Sequence, residues 1–299
     1  MLLVLTYNVL NVDYSELFDK YGKTELTYHR WETILLPAKD GTTKRCVSCV
    51  QRKTDFKDFM TEFERDIKPI ASHLFRASWQ ISQLDKCKES ITQNDAVVIM
   101  DFAKNYACRF QNEVQSAFWD SNQITIHPMM TYYLVKDADS LKLRKHSVIG
   151  VSNDLKHDAH AVLKFREVLY EKLKDEIQNL TMIYEWTDGC ASQYKGKTAF
   201  ADISNDKHKI QRICFETSYG KNVCDGLGAT TKNVCCQAVI SGKRVIGIAQ
   251  DLYDYCKEKL TMNTGESKRE FIYLDAKTST EIDLNPMQKH WSEQGKCTV

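Results

Sequence analysis

Residues 183–196 read IYEWTDGCASQYKG, and this stretch gives the strongest indication of the fold. Its first part is apolar and aromatic, which is typical of a buried β-strand, and the strand ends on Asp188. Small and polar residues follow at once, and then Lys195 and Lys197. A turn explains Gly189 but not the pair of lysines. The stretch therefore suggests a carboxylate at a strand end, followed by residues that let a phosphate come close.

A second apolar run ends in the same way. Residues 95–101 read DAVVIMD, and the pattern predicts a short strand buried on both faces that ends at Asp101. If this strand and the one before Asp188 are parallel neighbours, both acids lie at the same end of the sheet. Ligand sites in open α/β sheets form at that end.

The rest of the pattern predicts an α/β fold with a mixed sheet flanked by helices. Asp120-Ser121-Asn122 is turn chemistry between two strand candidates, which we expect to form an antiparallel hairpin or meander. Asn153 or Asp154 is the expected N-cap of an amphipathic helix. The predicted strands are 107–118, 123–135, 146–151, 180–187 and 211–217, and the predicted later helices are 229–240 and about 246–260.

Three regions are expected along the chain. Residues 1–90 are predicted to be mostly helical after Thr54, as one helix or as two that meet near Pro69. The polar segment 36–53 is predicted to be a loop. Residues 91–260 hold the predicted sheet and its flanking helices as one domain, and 261–299 lack periodicity, which predicts a loosely ordered tail.

Composition places limits on the function. The 299 residues are 42% apolar, and 41 basic against 40 acidic side chains give a net charge of +1. Nucleic-acid binding would thus depend on local basic clusters rather than on overall charge. The odd number of cysteines, 11, and the lack of a recognisable secretory leader predict reduced thiols inside the cell. No run is long enough to predict a membrane span.

A third carboxylate, Asp225, lies just before or within the first turn of a predicted helix. Three hard oxygen donors that converge on one spot suit Mg²⁺ or Mn²⁺. Two such ions activate a water or a 3′-hydroxyl and stabilise the leaving oxygen of a phosphodiester. The alternative for each acid alone is structural, because Asp is common at turns and at helix N-termini, and Asp-Gly is an ordinary turn signal.

Four motifs carry a resemblance to a family: DFAKNY (101–106), SNDLKHDAHAV (152–162), WTDGCASQYKGK (186–197) and TSYGKNVCDGLGATTK (217–232). In this order they resemble the RNase H-like transposase domains of the DDE/D type in animal transposable elements, over roughly residues 90–240. The resemblance implies that Asp101, Asp188 and Asp225 are the three catalytic, metal-binding acids. The third acid is Asp here rather than Glu.

Further residues are candidates for supporting roles. Asp154, His157 and Asp158 open the helix expected to flank the sheet, either as an auxiliary part of the site or as ordinary helix-capping chemistry. Lysines near the three acids are candidates for contacts with backbone phosphates. They are Lys104, Lys195, Lys197, Lys221 and Lys232.

Cys46 and Cys49 have the spacing of one half of a zinc site. A structural site usually needs two more ligands, often a second closely spaced pair of Cys or His residues. The nearest candidates in the sequence, His73 and Cys87, do not form such a pair. The sequence therefore argues against structural zinc there.

The first functional hypothesis is a metal-dependent DNA nuclease or strand-transfer domain from a transposable element, with DNA as partner and hence a nuclear location. The second is a catalytically inactive, transposon-derived DNA-binding or protein-interaction protein. It is favoured by the lack of a clear DNA-binding module before the acids and by a tail that looks shortened. A general nuclease for RNA–DNA hybrids is a third reading, and a homo-oligomer is left open.

Overall fold

The computed structural model describes residues 15–37, 43–108, 122–137, 140–215 and 222–276. The chain divides into two compact units, Met1–Trp79 and Gln80–Val299. The boundary falls inside a continuous helix, Phe56–Ser90, which runs through Pro69. The chain therefore forms one helix where the sequence also allowed two.

The first unit contains a short helix, a β-hairpin and most of the long helix. The elements are α1 (Ser15–Tyr21), β1 (Glu25–Pro37), β2 (Thr43–Asp55) and α2 (Phe56–Ser90). The two strands pair antiparallel from Glu25 opposite Asp55 to Pro37 opposite Thr43. The prediction of a loop over 36–53 was therefore wrong for most of that segment, because polar residues that alternate along a hairpin have no apolar face to reveal the strand.

The second unit is built on an eight-stranded mixed sheet. Its strands are β3 (Asp95–Met100), β4 (Ala103–Ala107), β5 (Gln123–Asp137), β6 (Ser140–Ser152), β7 (Met182–Thr187), β8 (Lys209–Cys214), β9 (Met262–Asn263) and β10 (Ser267–Leu274). The spatial order is β8-β7-β3-β5-β6-β10-β9, and β4 pairs with β5. The strands β3, β7 and β8 are parallel, whereas β5 is antiparallel to β3 and to β6.

Helices cover both faces of this sheet. They are α3 (Ala159–Glu176), α4 (Lys197–Asn205), α5 (Val223–Ile240) and α6 (Ala249–Leu260). Side chains of β3 alternate between the faces: Val98 packs in one core cluster with Leu169 of α3, and Val97 packs in another with Leu227 of α5. The predicted α/β fold with a mixed sheet flanked by helices is confirmed.

Several boundaries differ from the sequence prediction. Helix α3 begins after Asp158, whose side chain accepts hydrogen bonds from the backbone N–H groups of His160 and Ala161, so neither Asn153 nor Asp154 is the N-cap. The strand expected over 107–118 falls almost entirely on residues 109–121, which lie outside the described part, and β4 ends at Ala107. Helix α5 begins six residues earlier than predicted, at Val223.

The region after residue 261 contains more structure than expected. Strand β10 is parallel to β6, from Ser267 opposite Lys145 to Leu274 opposite Ser152, and β9 pairs with it. The expectation of a loosely ordered tail is therefore wrong for the residues up to Leu274, and residues 277–299 lie outside the described part. Within the described ranges, no helix has the length and apolar character needed to cross a membrane.

Candidate functional site

Two carboxylates lie at the ends of adjacent parallel strands. In the register of β3 and β7, Met100 lies opposite Thr187, so Asp101 and Asp188 follow at the same edge of the sheet. Both acids line one open pocket with a volume of about 470 Å³. The structure thus brings together the two acids that end the apolar runs in the sequence.

The third acid, Asp225, lies in the first turn of α5. Its Oδ2 accepts a hydrogen bond from the backbone N–H of Asn222 (3.0 Å), and the Asn222 side chain accepts one from the N–H of Cys224 (2.7 Å). This arrangement is a capping box, in which the residue three positions into the helix reaches back to the cap. Asp225 is exposed and does not line the pocket, but its charge acts on Asp101.

The surroundings of Asp101 disfavour its ionised form. Burial, together with the neighbouring charges of Asp188 and Asp225, raises the pKa of Asp101 from its usual 3.8 to about 7. Bringing a cation near Asp101 would reverse this effect, because it would stabilise the ionised carboxylate. Such a strongly perturbed acid in a pocket is a candidate functional group.

The chemistry of these donors fits a hard divalent cation, but they do not form a closed set of ligands. Carboxylate oxygens are the ligands that Mg²⁺ and Mn²⁺ prefer, and Mg²⁺ usually keeps several waters with only one or two protein carboxylates. In the described part of the chain, no three Asp, Glu, His or Cys side chains lie close enough together to hold a metal ion as a group. Asp101 and Asp188 therefore fit as a pair of ligands, with Asp225 as a nearby charge.

The turn after Asp188 is closely packed. Asp188 Oδ1 accepts a hydrogen bond from the N–H of Cys190 (2.9 Å), and a π-helical turn follows over Ala191–Lys195. A Cβ on Gly189 would lie 3.1 Å from Lys195 Nζ, so the small residue lets that ammonium group lie over the turn. The side chain of Tyr194 is fully buried beneath it, which rules out stacking on an exposed base.

A buried ion pair supports this turn, and the sequence analysis did not identify it. Glu185 and Arg212 lie directly opposite each other on β7 and β8, and Arg212 Nε donates to Glu185 Oε2 (2.7 Å). Arg212 Nη1 also donates to the backbone oxygen of Tyr194 (3.2 Å). Both side chains are almost fully buried. Glu185 in the middle of the apolar run MIYEWT was the signal that could have revealed a buried ion pair.

A group of aromatic rings lies at the pocket, and the sequence analysis named only His157 among them. The ring of Phe102 lies 4.2 Å from that of His127 and is stacked on that of His157 at 4.3 Å. His127 is fully buried in β5, and its Nε2 lies 3.3 Å from the hydroxyl oxygen of Tyr194. Burial lowers the pKa of His127 to about 3, so the ring is neutral at physiological pH.

The proposed auxiliary group is divided by the structure. His157 lines the pocket beside Asp101 and Asp188, and its Nε2 lies 3.0 Å from Thr125 Oγ1. Asp158 is the N-cap of α3, which is the structural alternative that the sequence left open. Asp154 Oδ1 accepts a hydrogen bond from the N–H of Lys156, and Asp154 does not line this pocket.

The predicted phosphate-binding lysines take different positions. Lys104 lines the pocket, and its backbone oxygen accepts a hydrogen bond from Lys232 Nζ (3.1 Å). Lys195 and Lys197 are exposed at the end of the π-helical turn and at the start of α4. Lys221 lies outside the described residues. Binding of nucleic acid by these side chains stays a prediction.

Cys46 and Cys49 lie on β2, three residues apart. Because side chains alternate between the faces of a strand, residues three apart point to opposite sides. This geometry explains why the spacing, which suits a zinc-binding turn, does not place the two thiols together on a strand.

Residues 80–294 match a family described as a domain of unknown function (DUF8701), and the chain belongs to that family. No curated protein matches the chain. The family description assigns no activity, so it neither supports nor opposes the resemblance to DDE/D transposase domains. The matched range begins at the same residue as the second compact unit, Gln80.

Proposed function

We propose that this member of the DUF8701 family is a metal-dependent enzyme that cleaves or transfers DNA phosphodiesters. One observation carries the proposal: Asp101 and Asp188 end adjacent parallel strands and face the same open pocket. The raised pKa of Asp101 supports it, because burial and the charges of Asp188 and Asp225 disfavour the ionised carboxylate, and a bound divalent cation would favour it. A DNA substrate would place the protein in the nucleus.

The side chains have distinct roles in this proposal. Asp101 and Asp188 would hold Mg²⁺ or Mn²⁺, and Asp225 would add negative charge nearby. When bound, the metal would activate the attacking hydroxyl or water and stabilise the leaving oxygen. Lys104 lines the pocket and would neutralise a phosphate of the backbone. The hydrogen bond from the Cys190 N–H to Asp188 fixes the orientation of that carboxylate.

A second candidate function is an inactive DNA-binding or protein-interaction domain derived from such an enzyme. The position of Asp225 favours it: this acid completes a helix capping box and stands outside the pocket lining. In the described ranges the acids also lack the spacing of a three-residue metal site. A domain that kept the fold and lost its third ligand would look like this.

Incubation of labelled DNA with the protein and Mg²⁺ or Mn²⁺ tests the proposal. We use duplex DNA, single-stranded DNA and an RNA–DNA hybrid, with the wild type, Asp188→Asn and Asp225→Asn. Each amide keeps an oxygen that can accept the existing backbone hydrogen bond, so the variants remove charge with little change in shape. Asp175→Asn, an exposed position on α3, is the matched control.

The proposal predicts metal-dependent nicking by the wild type and the control, with a loss of at least about a hundredfold in Asp188→Asn. If Asp225→Asn keeps full activity, Asp225 is a helix cap and not a metal ligand. DNA binding without cleavage in every variant would favour the second candidate. Preferred cleavage of the hybrid would make RNA–DNA the substrate.

A further inference from the structure

The pocket at the two acids is larger than a metal ion and a phosphate need. Its volume of about 470 Å³ lies in the range of sites that enclose small organic molecules. Beyond the acids, its lining combines an aromatic wall, side-chain amides and one ammonium group. These residues are Phe102, His157, Asn105, Gln123, Gln193 and Lys104.

The aromatic wall is held in a fixed orientation. Phe102 and His157 are stacked with an angle of 9° between their ring planes and a separation of 4.3 Å. The contact between His157 Nε2 and Thr125 Oγ1 (3.0 Å) fixes the imidazole further. Burial lowers the pKa of His157, so the neutral ring predominates at physiological pH. A neutral, oriented ring that lines a pocket can stack on a planar ligand.

The amides form a second wall. Asn105 of β4 donates from Nδ2 to Gln123 Oε1 of β5 (3.1 Å), which sets the direction of both groups. Asn105 Oδ1 is buried and has no hydrogen-bond partner among the described residues. Asn105 Nδ2 uses one of its two hydrogens in the contact with Gln123, so the amide wall retains hydrogen-bonding capacity. Asn and Gln side chains are well suited to the edges of nucleobases because they offer a donor and an acceptor together.

The acids follow β3 and β7, whereas the amides lie on β4 and at the start of β5, and all of them line the same pocket. One ligand could therefore touch both groups. We propose that the pocket holds an unstacked nucleobase next to the reacting phosphate, so that the preferred substrate is single-stranded DNA or DNA with an unpaired nucleotide. This inference rests on the proposed function, because the acids and their metal supply the phosphate end. A paired base cannot enter the pocket without leaving the duplex, which costs the free energy of its pairing and stacking.

Fluorescence anisotropy with the full-length chain in Ca²⁺, a cation that also prefers carboxylate oxygens, tests the inference. The probes are a single-stranded oligonucleotide, the same strand with abasic sites, the perfect duplex, and a duplex with a one-nucleotide bulge. The variants are His157→Ala and Asn105→Ala. His160→Ala is the matched control, because His160 is also partly buried near the start of α3 but does not line the pocket.

Stacking on one aromatic side chain contributes enough to change affinity about tenfold. We expect His157→Ala to weaken binding of the intact single strand by about that factor, Asn105→Ala to weaken it severalfold, and His160→Ala to leave it unchanged. The wild type should bind the abasic strand as weakly as His157→Ala binds the intact one. The bulged duplex should bind more tightly than the perfect duplex.

The outcomes separate this inference from the proposed function. Equal binding of intact and abasic strands, or no effect of His157→Ala, would overturn the nucleobase site even if Asp188-dependent cleavage is observed. Absence of metal-dependent cleavage, together with base-dependent binding that His157→Ala weakens, would overturn the proposed reaction and leave the nucleobase site in place. Absence of any binding would overturn both.

Discussion

Replacement of Asp101 by Asn tests the electrostatics of the site directly. In the folded state the Asp101 carboxyl has a pKa of about 7, against 3.8 for an ordinary Asp. At a pH between these two pKa values, Asp101 keeps its proton in the folded protein and has lost it in the unfolded chain. The free energy of unfolding therefore falls as the pH rises from about 4 to about 7, and it stays low at higher pH. Asn cannot ionise and escapes this loss.

The size of the effect follows from the pKa difference. Each tenfold change in the acid constant is worth about 1.4 kcal/mol, so the full difference corresponds to about 4 kcal/mol. Asp101 is only partly buried, and screening by solvent reduces the figure to about 2 kcal/mol. In the absence of metal, the free energy of unfolding of Asp101→Asn should therefore be about 2 kcal/mol higher than that of the wild type at pH 8. At pH 4 the two values should be nearly equal.

Urea unfolding from pH 4 to pH 9 in the presence of a chelator, followed by tryptophan fluorescence, measures this difference. The buried Trp186 on the neighbouring strand β7 is a suitable reporter. The exposed Asp175→Asn variant should stay within about 0.5 kcal/mol of the wild type at every pH. Added Mg²⁺ or Mn²⁺ should stabilise the wild type more than Asp101→Asn. A difference between the wild type and Asp101→Asn that does not grow with pH would refute the reasoning.

Two further predictions concern the structure around the site. A Cβ on Gly228 would lie 2.6 Å from that of an alanine of β4, whereas a Cβ on Gly226 of the same helix would meet nothing within 4 Å. In thermal unfolding, Gly228→Ala should therefore lower the free energy of unfolding by about 1–3 kcal/mol, and Gly226→Ala should raise it by up to about 1 kcal/mol. Equal effects would contradict the close approach of α5 to β4. In urea unfolding, Arg212→Met should lower the free energy of unfolding by about 3 kcal/mol, because the buried Glu185 loses its closest charged partner and keeps the more distant Arg166 (3.7 Å). The exposed ion pair between Lys142 and Asp137 gives the control: Lys142→Met should lower the free energy of unfolding by less than about 1 kcal/mol. A similar loss in the Arg212 and Lys142 variants would refute the role assigned to burial.

The sequence alone predicted much of the second unit, because its central strands are short apolar runs. DAVVIM and MIYEWT are buried on both faces, and a strand of this kind is recognisable as a short run of mostly apolar residues. The sequence also placed Asp101 and Asp188 at strand ends, and Asp225 just before or within the first turn of a helix. The hairpin of the first unit and the strand at Ser267–Leu274 lacked such a pattern, and both were missed.

Local pattern determined which residues end strands and begin helices, since hydrophobic periodicity and capping act over a few neighbouring residues. Only the tertiary structure decided which distant segments meet. It paired Glu185 with Arg212 across parallel strands and placed His157 and Asn105 on one pocket with the acids. The physical reason is that strand order and register depend on packing between segments far apart in the chain, which no short window of sequence records.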